Sequence, residues 1–168
     1  MLVDLLDIFN LIKAYAIDVN EIDSKKLNQK IMQMLDFSSN FRHDDLSLPQ
    51  FNDVSIHVAP SFETIAAYSK ILDFTFEKKF SEIVDYDHSG YFKARKNNAL
   101  VFFDAAEIGP SYIPGHGHAD TLSIEFSYLK KRLIVNTGTS TYTKSDRRSY
   151  ERSTAAHSTV EINDNDSS

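Results

Sequence analysis

Cysteine is absent from the 168 residues, which removes disulfides, thiolate metal ligands and cysteine nucleophiles together. Any bound metal must therefore be held by imidazole, carboxylate or amide. No apolar run approaches the ~20 residues needed to cross a bilayer, and the opening Met1-Leu2-Val3-Asp4 lacks the basic stretch of a signal peptide. Glycine is scarce and uneven: all five glycines, Gly90, Gly109, Gly115, Gly117 and Gly138, follow residue 89. The first half thus lacks the commonest residue of tight turns, and the second half carries it. A hydrophobic content of 42% and a charged content of 25% exclude disorder and predict a packed chain. Its length suits one ordinary domain or parts of two larger ones.

A net charge of −6 argues against nucleic acid as a partner. The charge is unevenly distributed, however. Residues 129–152 hold Lys130, Lys131, Arg132, Lys144, Arg147, Arg148 and Arg152 against only Asp146 and Glu151. An anionic ligand would be received there, although a solvated basic loop explains the same charges.

Leu5, Ile8, Phe9, Ile12 and Ala16 follow helical spacing from the first residues to about Asp18. Asp23 or Ser24 can cap a second helix with the stripe Leu27, Ile31, Met34 and Leu35, weakening at Ser38-Ser39-Asn40. After a loop with Pro49 and Asn52-Asp53, Pro60-Ser61 opens a third helix burying Ile65, Tyr68 and Leu72. From about Tyr91 the period becomes two. Tyr91–Arg95 and Ala99–Phe103 flank a turn at Lys96-Asn97-Asn98, which predicts a hairpin. A longer strand over residues 121–128 should pair with Arg132–Asn136, and Thr159–Ile162 reads as a further strand. Helices followed by strands, neither set closing a domain, predict an α+β chain made of adjoining pieces of two domains. The terminal Asn163-Asp164-Asn165-Asp166 lacks the glycine and the later glutamate of a calcium loop and reads as a polar turn.

The chemistry concentrates in Gly115-His116-Gly117-His118-Ala119-Asp120. In an extended chain His116, His118 and Asp120 share one face with Leu122 and Ile124, and the small Gly115 and Gly117 admit a ligand or another backbone. Asn136 and His157 lie on two further segments. With His118 they can supply three metal ligands and leave an open position, as zinc sites do. Neutral amide oxygen is a poor zinc ligand, so hydrogen bonding explains Asn136 as well, and a capped strand end explains His157.

The run Gly109-Pro110-Ser111-Tyr112-Ile113-Pro114-Gly115-His116-Gly117-His118-Ala119-Asp120-Thr121-Leu122-Ser123 resembles the opening signature of the heparinase II/III-like C-terminal domain. Leu133–Tyr142 and Tyr150–Val160 resemble the next two family motifs, in the family's order. Asp4–Leu11 and Phe51-Asn52-Asp53 look like the end of the family's α/α-toroid. The resemblance implies terminal toroid helices over residues 1–85 and the start of an antiparallel β-sandwich over 86–168. It also implies a polysaccharide lyase that cleaves uronate-containing polysaccharide by β-elimination.

By that resemblance His116 matches a histidine facing the substrate groove, and Tyr142 falls in an aromatic-rich motif that can reach it. These two are the expected catalytic residues, and Arg152 is the expected contact to the anionic polysaccharide. His118 and His157 match zinc ligands, while Asn136 stands where many relatives carry aspartate, which weakens an expected zinc site. The family's Asn-His pair and toroid tyrosine have no match in this sequence, so the chain alone is expected to be inactive. The resemblance points to the periplasm or cell envelope. A non-catalytic carbohydrate-binding or structural module is the alternative function. A metal-dependent hydrolase fits less well, because Thr121 occupies the place where a His-x-His-x-Asp-His motif needs its last histidine.

Overall fold

The computed structural model describes residues 1–17, 23–56, 58–76, 82–109, 112 and 114–167. They form two compact units, 1–41 with 59–80, and 42–58 with 81–168. The order of elements is α+β as expected, with helices ahead of an antiparallel sheet.

The first unit is built from α1 (Leu2–Tyr15), α2 (Ser24–Asn40) and α3 (Phe62–Ile71). Its core joins Leu2 and Leu6 of α1 to Ile31 and Leu35 of α2, with Leu72 and Phe74 following α3. Ile31, Leu35 and Leu72 lie on the stripes that the helical spacing predicts. In α1 the expectation is corrected: the buried residues are Leu2 and Leu6, while Leu5 and Phe9 of the expected stripe are only partly buried and Ile8 is exposed. Asp18 lies outside the described residues, and α1 closes at Ala16 in the left-handed conformation. Asp23 caps α2 by accepting from the backbone N–H of Lys25 and Lys26 at 3.1 Å, and Ser61 caps α3 through Thr64 N–H. A second expectation is corrected: α2 continues through Ser39 and Asn40. Both side chains donate back to Asp36 O within the helix, at 2.8 and 3.0 Å, so polar residues that favour helix ends are satisfied inside the last turn.

The second unit is a five-stranded antiparallel sheet in sequential order: β1 (Ile83–Tyr86), β2 (Tyr91–Lys96), β3 (Ala99–Asp104), β4 (Ile124–Tyr128) and β5 (Lys131–Ile134). The β2–β3 hairpin turns at Asn97-Asn98, with Asn97 at positive φ, and β4–β5 turns at Leu129-Lys130, both at positive φ. Strand β1 is an addition to the expected elements, since its four residues carry little alternation.

The expected strand at Thr159–Ile162 is absent among the described residues. Ile162 makes one isolated bridge to Asn165 across Asn163-Asp164, a polar turn with both residues left-handed. Strand β5 also stops at Ile134, two residues short of Asn136.

The sheet's buried face is the polar one. Register places Lys93, Phe102 and Glu125 in one row, with Leu100 and Ser127 in the next, and all are buried. Residues 42–58, read from sequence with the helices, cover this face. His43 donates from Nε2 to Glu125 Oε2 (2.7 Å) and accepts the Ser127 hydroxyl at Nδ1 (2.6 Å), while Gln50 N–H reaches Glu125 Oε1 (2.6 Å). Arg95 pairs with Asp44, and Arg132 with Asp45. Phe51 is buried against Tyr91, ring centroids 5.7 Å apart. In the opposite row Phe103 and Ile124 are partly buried and Phe92 is exposed.

Candidate functional site

The covering segment delivers Asn52 and Asp53 to the histidine motif. Asn52 adopts φ 51°, a left-handed turn that its short polar side chain tolerates. Its amide N–H donates to Asp120 Oδ2 (2.8 Å), and its side-chain oxygen accepts from His118 N–H (3.0 Å). Glycine is required where these segments cross. A side chain at Gly138 (φ 60°) would collide with Val54 O, and one at Gly117 would lie 2.5 Å from Ile108 O. At Gly117 it is therefore another backbone that approaches. Gly115 has open space, while Pro110, Ser111 and Ile113 of the same motif lie outside the described residues.

The expected extended run through His116, His118, Asp120 and Leu122 is not formed. Pro114–His116 is a single 3-10 turn, and Leu122 (φ 63°) reverses the chain after Asp120, whose carbonyl accepts from Ser123 N–H. His118 and Asp120 are consequently buried, and Leu122 is exposed. The two histidines nonetheless meet, at Asp53. His116 Nδ1 lies 2.8 Å from Asp53 Oδ2 and His118 Nε2 lies 2.8 Å from Asp53 Oδ1, with Arg148 Nη1 at 2.6 Å from Oδ1. Burial pushes the Asp53 carboxyl up, but the hydrogen bonds from Arg148, His118 and His116 outweigh it and bring it down to about 2. As an ionised carboxylate, Asp53 accepts from all three.

Arg148 comes from α4 (Asp146–Arg152), a short helix that the sequence analysis did not identify, capped by Ser145. The Arg148 guanidinium also donates to Thr139 and lies 5.2 Å from the centre of the Tyr142 ring. Tyr142 meets His116 edge to face at 6.0 Å, and both are largely exposed. Ser140, through its hydroxyl and N–H, and Arg147 hold the Glu151 carboxyl down at about 2, which fastens the Tyr142 segment to α4. Arg152 is exposed, and its Nε–H donates to Gly117 O (3.0 Å). Much of the local basic charge is thus paired: Arg132 with Asp45 and Glu125, Arg147 with Glu151, Arg148 with Asp53.

The three residues expected to bind zinc form a chain of contacts. His118 Nδ1 lies 3.3 Å from His157 Nε2, and His157 Nδ1 lies 3.3 Å from Asn136 Oδ1. Asp53 takes the Nε2 proton of His118 and Asn136 takes the Nδ1 proton of His157, so two lone pairs face one another. Burial holds His157 below the usual imidazole value. A separation of 3.3 Å suits two nitrogens on a tetrahedral zinc with Zn–N of about 2.0–2.1 Å. The amide does not suit it as a third ligand. Asn136 Oδ1 already accepts from Ser158 N–H (3.0 Å) as well as from His157, and the Ser158 bond fixes which amide atom is oxygen. Among the described residues Asn136 Nδ2 is buried without a hydrogen-bond partner. Among the described residues no three His, Asp or Glu side chains are grouped to hold a metal.

Asp53 and Arg148 are site residues that the sequence does not mark. Asp53 was visible as part of the Asn52-Asp53 loop and of the Phe51-Asn52-Asp53 resemblance to the toroid's end, with no role in the site, and Arg148 as one of seven basic residues.

Residues 80–168 match the model of the heparinase II/III-like C-terminal family, and the chain belongs to that family. No curated protein sequence matches it. Among solved structures, a heparinase III superposes with a TM-score of 0.74 at 14% identity, covering 98% of this chain and 31% of that one. The heparan sulfate lyase HepC mutant from Pedobacter heparinus gives 0.64 at 17% identity, covering 98% and 29%. The heparinase III BT4657 gene product with methylated lysines gives 0.69 at 19% identity, covering 84% and 25%. This chain thus shares their fold and spans a quarter to a third of their length.

Asp104 lies beneath the site at the end of β3, accepting from Ala106 N–H (2.9 Å). Burial raises its carboxyl to about 7, with Asp120 adding to the effect. A raised folded value means that this contribution to stability is full below the unfolded value near 3.9 and is lost as pH rises towards about 7. Asp104→Asn keeps the neutral shape. Urea unfolding of both proteins from pH 4 to pH 8 should show wild type losing roughly 2–4 kcal/mol relative to the variant. Parallel profiles would remove the buried neutral acid.

Proposed function

We propose that the chain is part of a polysaccharide lyase that cleaves uronate-containing polysaccharide by β-elimination, and that His116, Tyr142 and Arg152 are its contribution to the site. The observation that carries this reading is the exposed imidazole of His116, braced by Asp53 and packed on exposed Tyr142, with Arg152 anchored one residue away on Gly117. Elimination next to a carboxylate needs that carboxylate neutralised, a base for the C5 proton and an acid for the leaving O4. Arg152 supplies a guanidinium for the carboxylate, which it can meet bidentately, and His116 and Tyr142 supply groups that exchange protons. In this reading residues 1–85 are the last helices of an α/α-toroid and 86–168 the start of a β-sandwich. The rest of the proton-transfer machinery lies on the toroid beyond this chain, which alone is inactive, and the whole protein works in the periplasm or cell envelope.

The alternative is a carbohydrate-binding module without chemistry, favoured by an Asn136 oxygen already committed to two donors. Titration of the protein with oligouronates, read beside the near-ultraviolet absorbance of unsaturated products, tests the proposal. We expect binding without product, weakened roughly 10- to 100-fold by Arg152→Ala, as loss of a charge-assisted contact of about 1.5–3 kcal/mol requires. Unchanged affinity in Arg152→Ala and His116→Ala would refute the assigned surface.

The proposal extends to a weakly held zinc ion on His118 and His157, with Asn136 orienting His157 rather than ligating. Zinc bound there would act as a Lewis acid or a structural clamp. Elemental analysis should find less than one zinc per chain, and none in His118→Ala. A full equivalent that survives dialysis would contradict the two-nitrogen site.

A further inference from the structure

His116 and Asp53 make an unusual pair: the imidazole is 76% exposed, whereas the carboxylate that holds it is 7% exposed. An exposed histidine ordinarily turns freely and exchanges its single proton between two ring nitrogens. Here the ring is held on two sides. Nδ1 faces Asp53 Oδ2 at 2.8 Å, and the ring stands at 85° to Tyr142 with centroids 6.0 Å apart. The carboxylate is itself immobile, because Arg148 and buried His118 occupy its other oxygen at 2.6 and 2.8 Å. An ionised carboxylate offers only lone pairs. Whatever nitrogen it faces must carry the proton, and the other nitrogen must be bare when the ring is neutral.

We propose that Asp53 is a positioning residue that fixes His116 as the Nδ1–H tautomer, so that Nε2 meets the substrate as a hydrogen-bond and proton acceptor. This deepens the reading of His116 as a substrate-facing group and rests on it. It gives His116 a direction: the ring takes a proton, or accepts from a sugar hydroxyl, through Nε2. The imidazolium that forms on taking a proton is stabilised by the carboxylate against Nδ1–H, as a buried acid commonly orients a basic histidine. It also explains why an acid from the segment 42–58 lies beneath the histidine motif. Asn52 holds that motif by its backbone, and Asp53 holds it by its side chains.

The test is a two-bond proton–nitrogen correlation spectrum of the nitrogen-15-labelled protein, at a pH where the imidazoles are neutral, with His116 assigned by His116→Gln. We expect a protonated, pyrrole-like Nδ1 and a bare, pyridine-like Nε2 for His116. Asp53→Ala should return the ring to a mixture of tautomers, and Asp53→Glu should restore the single form. A protonated Nε2, or mixed tautomers, in the wild-type protein overturns the proposal, and this result does not depend on either Asp53 variant folding. Because the spectrum is read without ligand, its failure and the failure of oligouronates to bind are separate results.

Discussion

The carboxylate of Glu125 is wholly buried on β4, and the site depends on how it is satisfied. It accepts from His43 Nε2, Gln50 N–H, Asn136 N–H and Arg132 Nη1, which lie on the covering segment, beyond β5 and on β5. An ionised carboxylate without partners inside a protein is prohibitively costly, and removing one member of such a buried network typically costs about 3–5 kcal/mol. The same charge therefore seats residues 42–58 and fixes the backbone that carries Asn136. Through the first it places Asp53, and through the second it orients His157.

Asp53 repeats this arrangement nearer the surface. It gathers Arg148 from α4, His118 from the buried part of the motif and His116 from the exposed part. Three positive or polarisable groups on one carboxylate leave little free charge around it, so the protein presents geometry more than net charge to a ligand. Arg152, the group proposed to meet an anionic ligand, is exposed and is fastened to the motif by its Nε–H on Gly117 O and by its carbonyl, which accepts from Ala119 N–H. The metal question follows the same logic. Asn136 directs its oxygen to His157 and Ser158, so its part in the site is orientation.

The helices were legible because apolar residues recur at helical spacing and two begin at a capping side chain; Ile31, Leu35 and Leu72 were visible as periodic apolar residues, whereas the buried Leu2 and Leu6 lie off the stripe read for α1. The β2–β3 hairpin was legible for a similar reason, two alternating runs around Asn97-Asn98. Strand β4 was legible as a strand and misleading about its faces. Alternation shows which residues share a side, and it does not show that Glu125 and Ser127 lie inside while Phe126 and Tyr128 lie nearer solvent. Tertiary hydrogen bonds decided that. His116, His118, Asn136, Tyr142, Arg152 and His157 could be picked out because short motifs surround them. Asp53 could not, since its partners are 63, 65 and 95 residues away and nothing local marks a carboxylate that three distant groups will use.

Residues 42–58 belong to the sheet unit, and the site is built on them. Residue-resolved amide hydrogen exchange tests this placement most directly, through the Asn52 amide bonded to Asp120 and the His118 amide bonded to Asn52. Both should be protected and exchange with the same opening free energy as Gln50, Asn136 and the β3–β4 amides. Exchange of Asn52 and His118 at the rate of an open loop, while β3 and β4 remain protected, would contradict it.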